Sequence, residues 1–237
     1  MTNINPSSII QIESEVADLI SSQHTAEISL CDHLLSGYLN GFNTLPPISD
    51  SIGLKTVLLL LTTRGFNSLW SSFHLFKKGY YSQSIILTRS ALEDWLTGED
   101  CRTNPGTLEL LLEGKDEFWK REFKFNQMAK RLPEQIAESW KYIYDSMSSI
   151  AHPRTPSLTM LFTPSKDVRL GPYYDKYHFL KSYQVWLVAI SLLPEALYTA
   201  METETETEDW WQTYSPLYAT TLPEIERVKI QLDKWNP

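Results

Sequence analysis

Hydrophobic residues recur at every third or fourth position along most of the chain, which is the spacing of helices that bury one face. A first helix is predicted to begin near Pro6, and a second covers Ala26 to about Leu39. Gly41 and the pair Pro46-Pro47 end these two helices. The pattern predicts an all-α fold.

The stretch from Leu54 to Trp95 predicts two long, mostly buried helices that form a hairpin. The turn between them is expected at Gly79, which follows two lysines and precedes two tyrosines. Gly98 and the sequence Asn104-Pro-Gly106 are expected to break the chain after the hairpin. We expect the other helices to pack around this central pair.

The next predicted helix begins at Thr107 and is interrupted near Gly114. It resumes from Lys115 to about Leu132, with charged residues on one face and aromatic residues on the other. Between Lys115 and Arg131 the chain has six basic and three acidic residues, which makes this its most basic stretch.

A further helix is predicted to begin at Pro133, because proline is favoured in a first helical turn. It must end near His152, since Pro153 disfavours helical geometry in the residue before it. Its apolar stripe consists of Ile136, Trp140, Ile143, Met147 and Ile150. Residues 153–172 contain four prolines and predict a long proline-rich loop, a kind of segment that often has a function.

The C-terminal part is predicted to contain a long apolar helix from about Tyr174 to Met201 and a last helix from Pro223. The alternating Glu-Thr tract between them is expected to be a solvated connection. The chain thus reads as one all-α domain, a helical bundle with a central hairpin. Its parts are an N-terminal helical pair (1–48), a core bundle (49–201), and an acidic connection with the C-terminal helix (202–237).

Composition fits one globular domain, with 237 residues of which 42% are hydrophobic and 12% aromatic. Cys31 and Cys101 are too few for a disulfide framework and are expected to be buried, reduced thiols. Residues 1–50 contain no Lys or Arg for the charged region of a signal peptide. No apolar run approaches the ~20 residues that a bilayer requires. We therefore expect a cytoplasmic protein without a membrane segment.

The net charge of −8 is distributed unevenly. Residues 1–50 and residues 195–237 each have a net charge of −6, so residues 51–194 have a net charge of +4. The central part of the chain would then present a basic face to a polyanion. The alternative is that these charges only mark solvated faces.

Arg89 is the first candidate for a functional site. It shares a helical stripe with Ile85, Leu92 and Leu96, so its charge is expected on a face that points to the core. A buried guanidinium needs a partner, and Glu93 lies one turn further along the same helix. Two interpretations remain open: an ion pair that fixes helix register, or part of a ligand site.

Other polar residues are expected near this pair. Arg64 lies on an apolar stripe of the preceding predicted helix, and His74 lies on the same helix. His152 is expected at a helix C-terminus, where free carbonyls favour the protonated ring, and Arg154 follows it. His152 is either a helix-capping residue or a member of the site.

The sequence contains no glycine-rich phosphate loop, paired-cysteine zinc motif, His-Glu-x-x-His sequence or nucleophile elbow. No two of the five histidines have metal-ligand spacing on one helix. We therefore expect neither a metal nor another cofactor. Glu93 and His152 are candidates for a general acid–base pair.

The segment from Gly79 to Glu93 and the later Ser148-x-x-x-His152-Pro153 resemble a group of uncharacterised bacterial helical proteins. These proteins have an Arg-x-x-x-Glu helix and a Ser-x-x-x-His-Pro element. The group is similar to the HEPN domains (higher eukaryote and prokaryote nucleotide-binding). The resemblance covers roughly residues 54–155 and implies a helical bundle that often dimerises. It also implies RNA cleavage in a toxin–antitoxin or phage-defence setting.

The chain departs from the HEPN ribonuclease motif, in which an arginine lies five to seven residues before the histidine. Those positions here are Asp145, Ser146 and Met147. From this resemblance, only His152 carries over as a ribonuclease residue. An arginine elsewhere, Arg89 or Arg154, would have to supply the cation.

Three hypotheses follow. The first is a HEPN-like protein that binds RNA or a nucleotide-type ligand through Arg89, Glu93 and His152, with contributions from Arg64 and Arg154. If it is catalytic, it would cleave RNA without a metal, with His152 as acid–base and an arginine stabilising the phosphorane charge. Phosphate contacts would come from the basic residues Lys120, Arg121 and Lys124.

The second hypothesis is a non-catalytic interaction protein, a homodimer whose Arg89–Glu93 pair is structural. Its acidic ends would then bind a protein partner or imitate a polyanion. The third is a small-molecule hydrolase that uses Glu93 and His152. The first and third hypotheses require these residues to lie close together around a cavity.

Overall fold

The computed structural model describes residues 6–45, 53–115, 117, 123–131, 143–145, 147–148, 150, 171–201 and 205–235. These residues form helices and no strand, which confirms the predicted all-α bundle. The described residues between 143 and 150 are also helical. The named helices are α1 (Pro6–Gln23), α2 (Thr25–Phe42), α3 (Leu54–Lys77), α4 (Tyr81–Thr103), α5 (Pro105–Glu113), α6 (Phe125–Ala129), α7 (Lys176–Met201), α8 (Thr205–Ala219) and α9 (Thr221–Asp233).

The predicted hairpin is formed by α3 and α4, and α7 packs against both helices. The turn between α3 and α4 uses Gly79, whose φ of 84° is a conformation that L side chains rarely adopt. A Cβ at this position would also lie 2.3 Å from the carbonyl oxygen of Tyr173. On α7, the fully buried Trp186 donates a 2.9 Å hydrogen bond from Nε1 to the carbonyl oxygen of Leu69 on α3. The core therefore lies where these three helices meet.

Helix α4 continues past Gly98, where a break was expected, and ends at Thr103. Gly98 is buried, and a Cβ there would lie 3.1 Å from Cδ2 of Leu58 on α3. The glycine therefore allows close packing of the two helices. Tertiary contact outweighs its low helix propensity at this position.

The predicted continuous helix from Lys115 to Leu132 is wrong in the part that the structure describes. Phe123 and Lys124 are not helical, and Lys124 has an extended backbone before the short helix α6. A small apolar cluster attaches this segment to α4 and contains Leu96, Phe123, Met128 and Ala129. The basic stretch is therefore not presented as one helical face.

The acidic tract becomes helical at Thr205, so the predicted connection is wrong from that residue onward. Glu206 and Glu208 lie in the first turn of α8, where carboxylates interact favourably with the helix dipole. Helix α8 packs against α2, with the Trp210 indole donating a 2.7 Å hydrogen bond to the Gly37 carbonyl. The C-terminal part thus has two helices, α8 and α9.

By length and composition, helix α7 is long and apolar enough to cross a membrane, although polar residues interrupt its apolar sequence. Half of its most apolar 18-residue segment is buried inside the bundle, where α7 packs against α2, α3, α4, α8 and α9. A core helix of a soluble protein has the same composition. Of the predicted proline-rich loop, only Gly171 and Pro172 are described, and neither is helical.

Candidate functional site

Arg89 and Glu93 form the predicted ion pair on α4. The Arg89 Nε donates a 3.0 Å hydrogen bond to Oε1 of Glu93, and the same carboxylate oxygen lies 3.0 Å from Nη2. The four-residue spacing places the two side chains on one helical face.

Tyr144 closes this pair into a triangle. The Arg89 Nη2 donates a 2.5 Å hydrogen bond to the Tyr144 hydroxyl, and that hydroxyl donates a 3.0 Å bond to Oε1 of Glu93. The guanidinium also lies over the tyrosine ring, 4.6 Å from its centroid. Burial raises the pKa of Tyr144, and the Glu93 charge adds to this rise. The phenol therefore remains protonated and keeps its donor for Glu93.

The expected burial of the cations needs correction. The Arg89 side chain is 18% exposed, so it is partly buried beside Ile85 and Leu92, which are buried. The Arg64 side chain is 60% exposed, although its stripe predicted a core position. His74 is exposed as well. The hairpin therefore presents these polar groups near its outer surface, because the long side chains reach out of the apolar interface.

Arg64 pairs with a carboxylate that the sequence did not single out. Its Nε donates a 2.8 Å hydrogen bond to Oδ1 of Asp94, and its Nη2 donates to the same oxygen. The Asp94 side chain is fully buried, and its Oδ2 has no hydrogen-bond partner among the residues that the structure describes. Burial raises the pKa of the Asp94 carboxyl, whereas the Arg64 hydrogen bond lowers it.

A sequence signal for Asp94 exists. Ala91, Asp94, Gly98 and Cys101 fall at i, i+3, i+7 and i+10, and all four are buried. An acidic residue on a stripe of small residues has to be buried when two helices approach closely, and it then needs a cation from the neighbouring helix. This pattern would have predicted a buried carboxylate on α4.

A third arginine–carboxylate pair lies further along α4. The Arg131 Nε donates hydrogen bonds of 2.8 and 3.1 Å to the two carboxylate oxygens of Asp100. The Asn104 amide donates a 2.8 Å bond to Oδ1 of the same residue. The Asp100 side chain is fully buried, so this pair attaches the segment after α6 to α4.

Ser148 adds an unsatisfied polar group near the triangle. It lies one helical turn after Tyr144, and its buried Oγ has no hydrogen-bond partner in the described part of the chain. Lys124, a predicted phosphate contact, is exposed. Four predicted site residues lie outside the described residues: Lys120, Arg121, His152 and Arg154.

A separate polar network connects α2, α7 and α9. The Arg227 Nη2 donates hydrogen bonds of 2.8 Å to Glu27 and 2.6 Å to Glu224, and the Tyr183 hydroxyl donates a 2.9 Å bond to Glu224. The buried His24 ring lies 3.8 Å from the Glu27 carboxylate. His24 contributes most to lowering the pKa of Glu27 to about 2. This network shares no residue with the Arg89 triangle and joins α2 to α9.

The described residues contain no group of three His, Cys, Asp or Glu side chains that could hold a metal ion. The Arg89 triangle holds the guanidinium of a side chain that is 18% exposed. Within the described part of the chain, its hydrogen bonds use Nε and Nη2.

Fold and site together define an all-α helical bundle with an arginine–carboxylate–tyrosine site on its central hairpin. No protein-family model, no curated protein and no solved structure matches the chain. Its function therefore has to be argued from the site itself.

Proposed function

We propose that this chain is a HEPN-like, cytoplasmic RNA- or nucleotide-binding protein whose ligand phosphate binds at Arg89. The observation that carries the proposal is the Arg89–Glu93–Tyr144 triangle, in which two hydrogen bonds hold the guanidinium while part of it remains exposed. A guanidinium fixed in this way loses little further freedom when it binds a phosphate.

Two groups beside the triangle support the same proposal. Ser148 has a buried hydroxyl with no hydrogen-bond partner among the described residues, and a ligand oxygen that reached it would satisfy its hydrogen bonding. The exposed Arg64 lies on the adjoining helix and pairs with Asp94, the residue next to Glu93. Its guanidinium supplies a second cation for an extended phosphate backbone.

The catalytic form of the proposal uses His152, which the spacing Tyr144, Ser148 and His152 would place on one helical face. His152 would take the proton from the 2′-hydroxyl as that oxygen bonds to phosphorus, and would give it to the 5′-oxygen as its bond to phosphorus breaks. Arg89 would stabilise the negative charge on the phosphorane oxygens. In a toxin–antitoxin or phage-defence setting, such an activity would cleave cellular or phage RNA.

Incubation of the protein with a mixed RNA pool in EDTA tests both forms. The wild type should bind RNA, and Arg89→Ala should weaken binding by about tenfold at low salt, because one buried charge-assisted contact is lost. Cleavage by the wild type and none by His152→Ala would establish a ribonuclease. If the RNA remains intact with both proteins, the catalytic form of the proposal is wrong.

Arg102→Ala is a matched control for Arg89→Ala. Arg102 also lies on α4 and pairs with an acidic residue of the same helix, Glu99, at 2.7 Å. It should leave RNA affinity within about twofold of the wild type if the Arg89 site is specific. Equal losses in the two variants would show only a general charge effect and would contradict the proposed site.

The second candidate function is a homodimeric interaction protein without catalysis. It is favoured by the fact that both hydrogen bonds of the Arg89 guanidinium are made within the chain. In that case Arg89→Ala would lower the free energy of unfolding and leave RNA affinity unchanged. Light scattering would then give the oligomeric state. A small-molecule hydrolase based on Glu93 and His152 remains a third alternative.

A further inference from the structure

A groove of about 610 Å³ lies between the second half of α7 and the junction of α8 with α9. It is distant in sequence from the Arg89 triangle and shares no lining residue with it. Leu192 and Trp211 line its two sides, and Pro216 and Leu222 lie at the α8–α9 end. Its walls are thus largely apolar, as binding grooves usually are.

Leu222 makes the groove unusual for a protein surface. Its side chain is 68% exposed at the start of α9, although it borders an apolar groove. Trp211 is partly buried and stacks on Tyr198, with ring centroids 4.9 Å apart. An exposed leucine and a fixed aromatic ring around one concavity are typical of a docking site for another apolar surface.

The rim of the groove is acidic. Among the described residues that line it, Glu195 is the charged one. One turn along α7, the Tyr198 hydroxyl donates a 2.5 Å hydrogen bond to Glu208, and the Gln212 amide donates a 2.6 Å bond to the other oxygen of that carboxylate. These hydrogen bonds lower the pKa of Glu208, with that from Gln212 contributing most. Glu208 is therefore held as a carboxylate close to Trp211.

The wider surroundings have the same sign of charge. Residues 195–237 have a net charge of −6, and four acidic residues between 195 and 209 belong to the described helices α7 and α8. A nucleic acid would be repelled by this region. An apolar groove with an acidic rim is complementary to a segment that has apolar side chains on one face and Lys or Arg beside them.

We propose that this groove binds a basic amphipathic helix of a partner protein. Apolar side chains of that helix pack against Trp211 and Leu222, and its Lys or Arg side chains pair with Glu195 and Glu208. This site is independent of the ligand site proposed at Arg89, because the described residues of the two sites do not overlap.

A fluorescein-labelled 14-residue peptide of Leu and Lys, with Leu at helical spacing, tests the proposal by fluorescence anisotropy. A second peptide has the same composition in an order without an apolar face. The first peptide should bind at least about tenfold more tightly than the second, since both have the same charge and only one has the apolar face. Equal affinities would reduce the interaction to general charge attraction and overturn the proposal.

Variants locate the binding surface. Glu195→Lys and Leu222→Ser should each weaken binding of the amphipathic peptide by about tenfold at low salt. Glu109→Lys is the matched control, because it makes the same charge change at an exposed position on α5. It should change the affinity by less than about twofold. Equal effects of Glu195→Lys and Glu109→Lys would contradict binding in the groove.

Three other results would also overturn the proposal. The first is no binding of the peptide at concentrations up to about 1 mM, where even weak complexes form. The second is direct binding of RNA that Leu222→Ser abolishes, which would make the groove a nucleic-acid site. The third is self-association in light scattering that Leu222→Ser abolishes, which would identify a second copy of the chain as the occupant. Circular dichroism of each variant confirms that it is folded.

Discussion

The indole of Trp210 lies directly over the glycine face of α2, where it donates a 2.7 Å hydrogen bond to the Gly37 carbonyl. A Cβ added at Gly41 would lie 2.6 Å from Cε2 and Cζ2 of the same ring. The bond and the close contact together fix the distance between α2 and α8. Helix α2 therefore has no room for an additional methyl group at Gly41.

Gly41→Ala should therefore lower the free energy of unfolding by about 2 kcal/mol, because the rigid indole has to move away from its hydrogen bond. The higher helix propensity of alanine offsets only about 1 kcal/mol of that loss. Urea unfolding followed by circular dichroism measures the change. Gly106→Ala is the control: nothing lies within 4 Å of its added Cβ, so it should stabilise α5 by about 0.5–1 kcal/mol.

Acid sensitivity should arise in part from Glu27. Its pKa is lowered from 4.5 to about 2 in the folded protein, so its contribution is fully present above pH 4.5 and is lost as the pH falls towards 2. Allowing for its partial exposure to solvent, Glu27→Gln should lower the free energy of unfolding by about 2 kcal/mol at pH 6. At pH 2 the two proteins should have similar stability.

The control for this experiment is Glu226→Gln, which also removes one carboxylate. Glu226 lies on the exposed side of α9, and its carboxylate is 3.9 Å from Lys229. Such a surface pair contributes at most about 0.5 kcal/mol. A Glu27→Gln profile that runs parallel to the wild type between pH 6 and pH 2 would contradict the role assigned to Glu27.

In the Arg64–Asp94 pair, the carboxylate is buried and the arginine is exposed, so loss of the arginine should destabilise the fold. At pH 7, Arg64→Ala should lower the free energy of unfolding by about 1–2 kcal/mol, because it leaves the Asp94 carboxylate buried without a cation. In an Asp94→Asn background the same change should have almost no effect. A double-mutant cycle by urea unfolding measures this coupling, and additive effects would show that the pair does not interact.

The raised pKa of Asp94 also predicts how the free energy of unfolding changes with pH. Because burial raises its pKa, the buried charged form is unfavourable, and stability attributable to this group falls as the pH rises above 3.8. Asp94→Asn should remove that decline. The difference in unfolding free energy between Asp94→Asn and the wild type, measured from pH 3.5 to pH 7, should therefore grow in favour of the variant.

Both cysteines should be unreactive in the folded protein. Cys31 and Cys101 are free and buried, as the sequence predicted, and burial raises the pKa of Cys101 to about 12 and that of Cys31 well above its usual value. A disulfide reagent at pH 8 should label neither thiol in native protein and both in denaturant. Ser36→Cys, at an exposed position of α2, supplies a fast-reacting control. Rapid labelling of the wild type would contradict this burial.

Local spacing was enough to predict the Arg89–Glu93 pair, since both residues belong to one helix and four positions fix their separation. It was not enough for Tyr144, which comes 51 residues after Glu93, or for Asp94, whose partner lies on α3. Contacts between helices depend on the rotation and offset of each helix, and one sequence does not determine these quantities. The exposed position of Arg64 was missed for the same reason.

The helices, like the site, could be predicted only where the local sequence determines them. The helical period predicted α3, α4 and α7, which have long apolar faces. The Glu-Thr tract that begins α8 has no apolar period, yet Thr207 is fully buried and its hydroxyl lies 3.3 Å from that of Thr44. Gly98 similarly became part of a helix because Leu58 packs against it. Tertiary packing determined the structure at both places, and rules based on local sequence do not predict such packing.

The hydrogen bond between Glu27 and Arg227 joins residues that are 200 positions apart. During synthesis, α2 leaves the ribosome long before α9 exists, so the early helices have to remain without their closing partner for most of translation. Long sequence separation between contacting residues slows folding and prolongs the exposure of apolar faces. The closing hydrogen bond of α2 therefore forms only after α9 has been synthesised.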